Sequence, residues 1–311
     1  MAIASFSPEI LSRACELLSA GDVVAIPTET VYGLAADATN DKAVAKIYAV
    51  KQRPEFNPLI IHCHSAQQAK SYVEFDTRAE KLADAFWPGP ITFVLKRRPD
   101  SALSLLASSG LDTLAIRIPA HPIAQALIKA YSKPLAAPSA NLSQTISPTS
   151  AIDVQASLGS RVPLIIDGGQ TRVGVESTII DLTGNKPTIL RPGGISIEQI
   201  QALIGPVTLS SAISGIKAPG MMARHYAPSV PMRLNATASL AGELFLGFGE
   251  MNCDYNLSPS GNLEEAAANL FRMMRLMDRK SIQGIAVAPI PRHGLGLAIN
   301  DRLMRASTQE E

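Results

Sequence analysis

The stretch VVAIPTETVYGLAAD, residues 23–37, decides how this chain is read. Val23, Val24, Ala25 and Ile26 make a short apolar run of the kind that forms a buried strand. It breaks at Pro27 into Thr28, Glu29 and Thr30, then turns apolar again through Val31, Tyr32 and Leu34. Two hydroxyls, a carboxylate and a phenol therefore sit between two pieces of core, at the end of a strand.

The same arrangement recurs on either side of that stretch. Upstream, residues 8–18 carry apolar positions at helical spacing, and Gly21 closes the element. Downstream, Asp41 is the expected cap of a helix bearing Val44, Ile47, Tyr48 and Val50, stopped by Pro54. LIIHC (59–63) reads as a strand and residues 76–87 as a helix ended by Pro88-Gly89-Pro90. Strands ITFVLK (91–96) and TLAIRIP (113–119), a helix over 122–131 and a short strand in PLAAPSAN (134–141) follow. A helix near 152–158, strands at 163–167, 177–182 and 188–193, and an amphipathic helix over 196–205 complete this part. Strands and helices mixed without strict alternation predict an α/β domain with a mixed sheet.

Periodicity fades over residues 206–230, where Pro, Gly and Ser accumulate, as in an interdomain linker. Beyond it come a strand at 243–249, a long helix opened by Asn262 with Glu265 at the capping-box position, a strand at 284–290 and a closing helix over 296–306. The expected organisation is a first domain over 1–205, a linker over 206–230 and a small βαβ-like domain over 231–311.

Composition narrows the function. Of 311 residues, 46% are apolar and 18% charged, which is a well-packed globular chain and not a disordered one. The 28 basic and 27 acidic residues leave a net charge of +1, which gives no support to broad binding of nucleic acid or membrane. Cys15, Cys63 and Cys253 form no C-x-x-C pair, and a sparse odd set fits a reducing compartment. With no basic n-region ahead of an apolar core, and no apolar stretch near the roughly 20 residues that cross a bilayer, a cytoplasmic protein is expected.

Phosphate loops of the G-x-x-x-x-G-K-[ST] type, dinucleotide fingerprints and nucleophile elbows are absent from the sequence. His62 and His64 in IHCHS form half a metal site at best, and strand-end histidines beside a polar loop are the better reading. The strand ends are more informative. Thr28 and Thr30, Lys51, Arg53 and Asn57, Thr113 and Arg117, Ser139 and Asn141, Ser143 and Ser147, Ser177 and Thr178, and Arg191 all lie at or just beyond strand or helix ends, with few acids among them. Hydroxyls, ammonium and guanidinium groups bind anions that carboxylates repel, so the set reads as a pocket for a ligand bearing phosphate and carboxylate. Taken singly, most of the serines and threonines read better as caps or turn formers. Arg117 is flanked by Ala115, Ile116 and Ile118, and a buried arginine needs an anionic partner, whether ligand or structural carboxylate.

Taken in order, PTETVYGL, KQRPEFNPL, APSANLS, SPT, ESTIIDL and LRPGG resemble the signature segments of the Sua/YciO/YrdC family, and APGMMARHYAP resembles the linker of its two-domain branch. The resemblance implies a twisted mixed-sheet, YrdC-like domain with a concave basic cavity, followed by a small Rossmann-like C-terminal domain. It implies ATP-dependent synthesis of L-threonylcarbamoyladenylate from L-threonine and bicarbonate or CO2, with release of pyrophosphate and with Mg2+, for a tRNA modification. By motif, Thr30, His62, Arg117, the backbone at Ala137 and Ser177 would surround threonine. Arg53, Asn57, Thr113, Ser139, Asn141, Ser147, Arg191 and Tyr226 would surround ATP, and Lys51 and Arg53 would stabilise the charge that develops. Downstream tRNA threonylcarbamoyl-transfer machinery would be the partner, with weak RNA binding allowed and no membrane. An RNA-binding or ribosome-associated module on the same fold, or carbamoyl transfer to another acceptor, are the competing functions. Gln144 and Ala35 stand where glycines are usual, so those loops are expected to be tighter, and Met222 and Ala223 replace a usual Lys and Tyr. Glu29 has no assigned role: it would hold a cation such as Lys51, or help place Mg2+.

Overall fold

In the computed structural model, residues 2–54, 56–210, 225–279 and 281–308 are described. Met222 and Ala223, with much of the expected linker, lie outside them. The chain opens with β1 (Ala2–Ser5), which the sequence pattern did not reveal, and α1 (Pro8–Ser19). The Ser7 hydroxyl accepts from the Ile10 amide and Pro8 starts the first turn, where its missing N–H costs nothing. β2 (Val24–Ile26) and β3 (Gly33–Asp37) pair antiparallel around the Thr28–Thr30 loop, and every residue of both strands is buried. Ala35 pairs with Val24 inside that ladder, so it occupies a regular strand position. α2 (Asp41–Lys51) is capped by Asn40, whose side chain accepts from the amides of Lys42 and Ala43; Asp41, the expected cap, sits in the first turn instead.

β4 (Ile60–His62), α3 (Ala66–Lys70), α4 (Thr77–Phe86), β5 (Ile91–Lys96), β6 (Thr113–Arg117), α5 (Pro122–Tyr131) and β7 (Leu135–Ala136) follow. α6 (Ala151–Leu158), β8 (Leu164–Asp167), β9 (Thr178–Asp181), β10 (Thr188–Arg191), α7 (Ile197–Ile204) and β11 (Thr208–Leu209) close the first part. Their strands form one sheet in the order β1-β8-β2-β3-β7-β4-β6-β5-β9-β10-β11. The sheet is mixed, as the pattern predicts: β4 and β6 run parallel, while β5 and β6 run antiparallel. α1 and α5 cover one side through Leu18, Leu127 and Ile128, packed with Val24 and Ile26. The larger core gathers Tyr32, Leu34, Ile47, Leu82, Phe93, Ile116 and Val154. α7 and β11 belong to this part physically, since Ile200 joins its core and β11 pairs with β10.

Side chains alternate along a strand, so Ile60 and His62 share one face of β4, and Ala115 and Arg117 share one face of β6. His62 is directly opposite Arg117 in the parallel register. A small apolar cluster of Ile60, Val94, Ala115, Ile179 and Leu190 floors that face.

The remaining strands, β12 (Met232–Arg233), β13 (Glu243–Gly247), β14 (Tyr255–Asn256) and β15 (Gly284–Val287), form a second sheet in the order β12-β15-β13-β14, parallel throughout. α8 (Leu263–Met277) and α9 (Gly296–Ser307) pack on it. The Asn262 side chain accepts from the Glu264 and Glu265 amides, but the expected capping box does not form: the Glu265 carboxylate accepts from Ser258 Oγ, and the Asn262 amide donates to the same serine.

The two parts meet closely. Val31, Ile146 and Val175 of the first are buried in one cluster with Leu270, Phe271 and Met274 of α8. Gly174, at φ 73°, lies against α8 so tightly that an added Cβ would come within 2.4 Å of the Ala268 Cα. The α8 side chain of Arg275 donates to the Ile146 carbonyl at 2.8 Å.

Candidate active site

A cleft opens at the strand ends of the first sheet and is closed on one side by His225 and Tyr226. Thr30, His62, Arg117, Ala137 and Ser177, the expected amino-acid residues, all line it. So do Arg53, Ser139, Arg191 and Tyr226 of the expected nucleotide set. Topology brings these distant positions together: β4 and β6 are neighbours, the Ala137 amide donates to the Ile60 carbonyl, and Gly33 bridges Ser139.

The loop over residues 27–32 is held rigid from behind. Tyr32 is fully buried, donates its hydroxyl proton to the Gly169 carbonyl at 2.8 Å and accepts from the Gly168 amide at 3.0 Å. Burial pushes that phenol up to about 12, so it stays protonated. Thr28 Oγ1 donates to the Val31 carbonyl at 2.6 Å, which commits its one proton. In the 2.8 Å contact between Thr28 and Thr30 hydroxyls the proton therefore comes from Thr30. Thr30 is left with lone pairs alone, so towards a ligand it accepts and does not donate.

His62 has a related polarity. Its Nδ1 lies 3.2 Å from the Ile60 carbonyl, which can only accept, so Nδ1 carries the proton and Nε2 is an acceptor. Burial, with the Arg117 charge beside it, lowers the imidazole to about 3 and keeps it neutral. The Ala137 amide is committed to Ile60, which leaves its carbonyl as the backbone group for a ligand.

Arg117 is buried, and Glu29 is its structural partner. The carboxylate accepts from Arg117 Nη2 at 2.7 Å and, through its second oxygen, from the Ala120 amide at 3.0 Å. Burial raises the Glu29 carboxyl, yet Arg117 and these donors outweigh it and hold it below its ordinary value. Glu29 thus holds a cation, but that cation is Arg117 and not Lys51. Arg117 Nε also donates to the Gly89 carbonyl at 3.3 Å, leaving Nη1 without a protein acceptor among the described residues.

On the other side of the cleft, Arg53 donates to the carbonyls of Asn57 and Pro58 at 3.2 and 3.0 Å, which fixes its direction without cancelling its charge. Burial lowers it only to about 10, so it remains a cation at neutral pH. Arg191 donates to the Ser177 carbonyl at 2.9 Å and to its hydroxyl at 3.2 Å, tying the two sides of the cleft together. Gly193 makes that contact possible: an added Cβ would stand 2.3 Å from the Ser177 carbonyl carbon and the Thr178 nitrogen.

Five expected residues do not line the cleft. Lys51 is buried behind it, donating at 2.5 Å to the carbonyls of both Ser139 and Asn141, and so braces the loop that presents Ser139. Burial and the neighbouring Arg53 push its ammonium well below its ordinary value. Asn141 holds the next turn through Thr145, and Asn57 supplies the carbonyl that orients Arg53. Ser147 is fully buried and donates to Glu176 at 2.6 Å. Thr113 shares the face of Arg117 but lies at the opposite end of β6, paired with Lys96. Nearby, Gln144 has φ 70°, the left-handed region that favours the glycine usual there.

Glu176 and His225 line the cleft without having been assigned to it from sequence, and Thr28, one of the strand-end hydroxyls expected in the pocket, lines it too. Glu176 accepts from Ser147 and from Arg302 of α9 at 2.8 Å. His225 and Tyr226 are in ring contact at 3.9 Å, and Tyr226 stacks on Phe271. His225 Nδ1 and the Tyr226 hydroxyl are buried without a hydrogen-bond partner among the described residues, which marks the wall they form as a place for a polar ligand. Burial lowers the His225 imidazole to about 3. His64, the second histidine of IHCHS, turns away to Gln68 at 2.8 Å, and among the described residues there is no cluster of three or more His, Cys, Asp or Glu side chains fit to hold a metal.

Residues 16–193 match the family model Sua5_yciO_yrdC, described as telomere recombination, and residues 195–308 match that of the threonylcarbamoyl-AMP synthase C-terminal domain. Threonylcarbamoyl-AMP synthase of Pyrococcus abyssi (strain GE5 / Orsay) is 43% identical over 310 residues, covering 92% of this chain and 91% of the relative. The Bacillus subtilis (strain 168) protein of the same name is 40% identical over 321 residues, covering 96% and 92%. The crystal structure of P. abyssi Sua5 complexed with L-threonine superposes with a TM-score of 0.92 at 39% identity, covering 99% of this chain and 98% of the other.

Proposed function

The chain belongs to the Sua5–YciO–YrdC family, in its two-domain form, and on that premise we propose that it makes L-threonylcarbamoyladenylate and pyrophosphate from L-threonine, bicarbonate or CO2, and ATP. The observation that carries the proposal is the convergence of Thr30, His62, Arg117, Ala137 and Ser177 in one cleft with Arg53, Ser139 and Arg191.

The two sides of the cleft differ in charge, and the difference fits the two substrates. Around Arg117 the charge is balanced by Glu29, as suits a zwitterionic amino acid. Arg117 Nη1 would take the carboxylate, while Thr30 Oγ1, His62 Nε2 and the Ala137 carbonyl, all acceptors, would take its ammonium and hydroxyl protons. On the other side Arg53 and Arg191 present guanidinium groups to the phosphates of ATP, with Tyr226 over the nucleotide. The threonine amine adds to CO2, losing a proton to give a carbamate. A carbamate oxygen then attacks the α-phosphorus as the bond to pyrophosphate breaks. Negative charge gathers on phosphate oxygens in that step, and fixed guanidinium groups in a water-poor cleft stabilise it without reorganising. Holding two anions together is the main task, for which no nucleophilic side chain is needed.

Mg2+ enters this scheme with ATP. Glu176, the only carboxylate lining the cleft among the described residues, already accepts from Ser147 and Arg302. The ion would be held chiefly by phosphate and water oxygens, as is common for Mg2+. Lys51, first assigned to the chemistry, is better cast as the brace of the 139–141 loop. We place the product upstream of a tRNA threonylcarbamoyl-transfer machinery, and divide the chain into a first domain that extends beyond 1–205 to include β11 and a second over 231–311. Among the described residues, no helix is long and apolar enough to cross a membrane. Pyrophosphate release from ATP tests the reaction: it should require both threonine and bicarbonate, and release without threonine, or none with it, contradicts the proposal.

A further inference from the structure

A side chain of the second domain bonds directly to a carboxylate that lines the cleft. Arg302 of α9 is fully buried and points its guanidinium at the first domain, where Nε donates to Glu176 at 2.8 Å. Nη1 donates to Asp301 at 2.6 Å, and the guanidinium carbon lies 5.2 Å from the centre of the Tyr226 ring, within cation–π range. Tyr226 in turn stacks on Phe271 of α8. Arg302 is therefore held by the ring that walls the cleft on one side and by the carboxylate that walls it on another.

Glu176 is out of place in an anion site unless its charge is answered. Its two oxygens accept from Arg302 and Ser147, and Arg191 of β10 is the other cation acting on it. Burial opposes its ionisation, yet Arg302 and Arg191 outweigh burial and hold the carboxyl at about 2. His225 and Tyr226, the other titratable groups beside it, are respectively a neutral imidazole and a protonated phenol. Without Arg302, the charge of Arg191 would be drawn to Glu176 and away from a ligand, and an uncompensated carboxylate would face the phosphates.

We infer that Arg302 is a positioning residue for the cleft: from the second domain it pairs Glu176, so that the charge of this carboxylate is answered there and does not oppose the triphosphate. The inference rests on the reading of the cleft as an ATP site. It gives the second domain a part in the reaction that its fold alone does not suggest. A buried ion pair is often replaceable by apolar groups without loss of stability, so stability alone is a weak reason for this one.

Three variants test it: Arg302→Met, Arg302→Lys, and Glu176→Gln/Arg302→Met, in which both charges are gone. Calorimetric titration with Mg-ATP reads the coupling directly, and steady-state kinetics read it in KM. Arg302→Met is expected to weaken ATP at least about tenfold, with a smaller change for threonine. The loss should shrink as pH falls, because protonation of the unpaired, buried Glu176 removes the offending charge; a merely structural arginine predicts no such recovery. Arg302→Lys should restore part of the affinity, and the double variant most of it. Wild-type ATP affinity in Arg302→Met, or a folded double variant as weak as the single one, overturns the inference. Should Arg302→Met fail to fold, the double variant decides by the same criterion. Absence of threonine-dependent turnover in the wild type would count against the proposed reaction, while the calorimetric comparison would still report on Arg302.

Discussion

Arg117 and Glu29 show how a single residue gains its meaning from the fold. In sequence, Arg117 requires an anion and Glu29 repels one; they are 88 positions apart and only the fold brings them to 2.7 Å. Arg117→Ala is expected to abolish threonine binding while ATP binding remains measurable, and unchanged threonine affinity by calorimetry would contradict the assigned role. Because the change leaves Glu29 buried without its partner, a stability loss of about 3–5 kcal/mol is expected as well. The histidines make a second prediction. His62 and His225 have folded values near 3 against an ordinary 6.5, so the unfolded chain binds their protons more readily. Their contribution to stability is present in full above about pH 6.5 and is lost as pH falls towards 3; Glu176, lowered from 4.5 to about 2, adds a loss below its ordinary value. Thermal midpoints should therefore fall steadily on acidification from about pH 7 to 4. A flat profile would show that these groups are not buried as described.

At the scale of elements, the ends of strands carry the site and the glycines set how closely those ends approach. Gly193 lets the turn after β10 rest on the backbone at Ser177 and Thr178, which directs Arg191 across the cleft. Gly193→Ala forces that turn away and should cost about 2 kcal/mol or more. ATP and threonine affinity should fall together, since Arg191 and Ser177 move as a unit; loss of one alone would separate them. Much of this was legible beforehand. Short apolar runs with polar residues at their ends located β2, β4, β6, β9 and β10, and the amino-acid side of the cleft followed from motif. What was hidden depended on distance through space. Lys51 and Ser147 look like ligand groups in sequence, but their burial behind the wall is a matter of packing. β1 and β11 are short edge strands, and nothing in a two- to four-residue run distinguishes a paired edge from a loop. Glu176 drew no attention because its compensating cation is 126 positions away.

Across the whole molecule, the two sheets act as one body at the cleft. Val31, Ile146 and Val175 are buried with α8 residues, and Gly174 touches the α8 backbone, so the domains are docked and not merely tethered. Gly174→Ala should open that contact: a side chain at φ 73° is strained in itself and its Cβ would strike Ala268. The expected outcome is faster amide exchange in α8 and along residues 173–176, with weaker ATP binding through Glu176. Unchanged exchange in both segments would separate the domains energetically. The central claim, that this docked cleft joins threonine, bicarbonate and ATP, is tested most directly by following labelled bicarbonate. The label should appear in a threonine-containing adenylate only when protein, threonine and ATP are all present. A label that enters without threonine, or an adenylate that never carries it, would contradict the account.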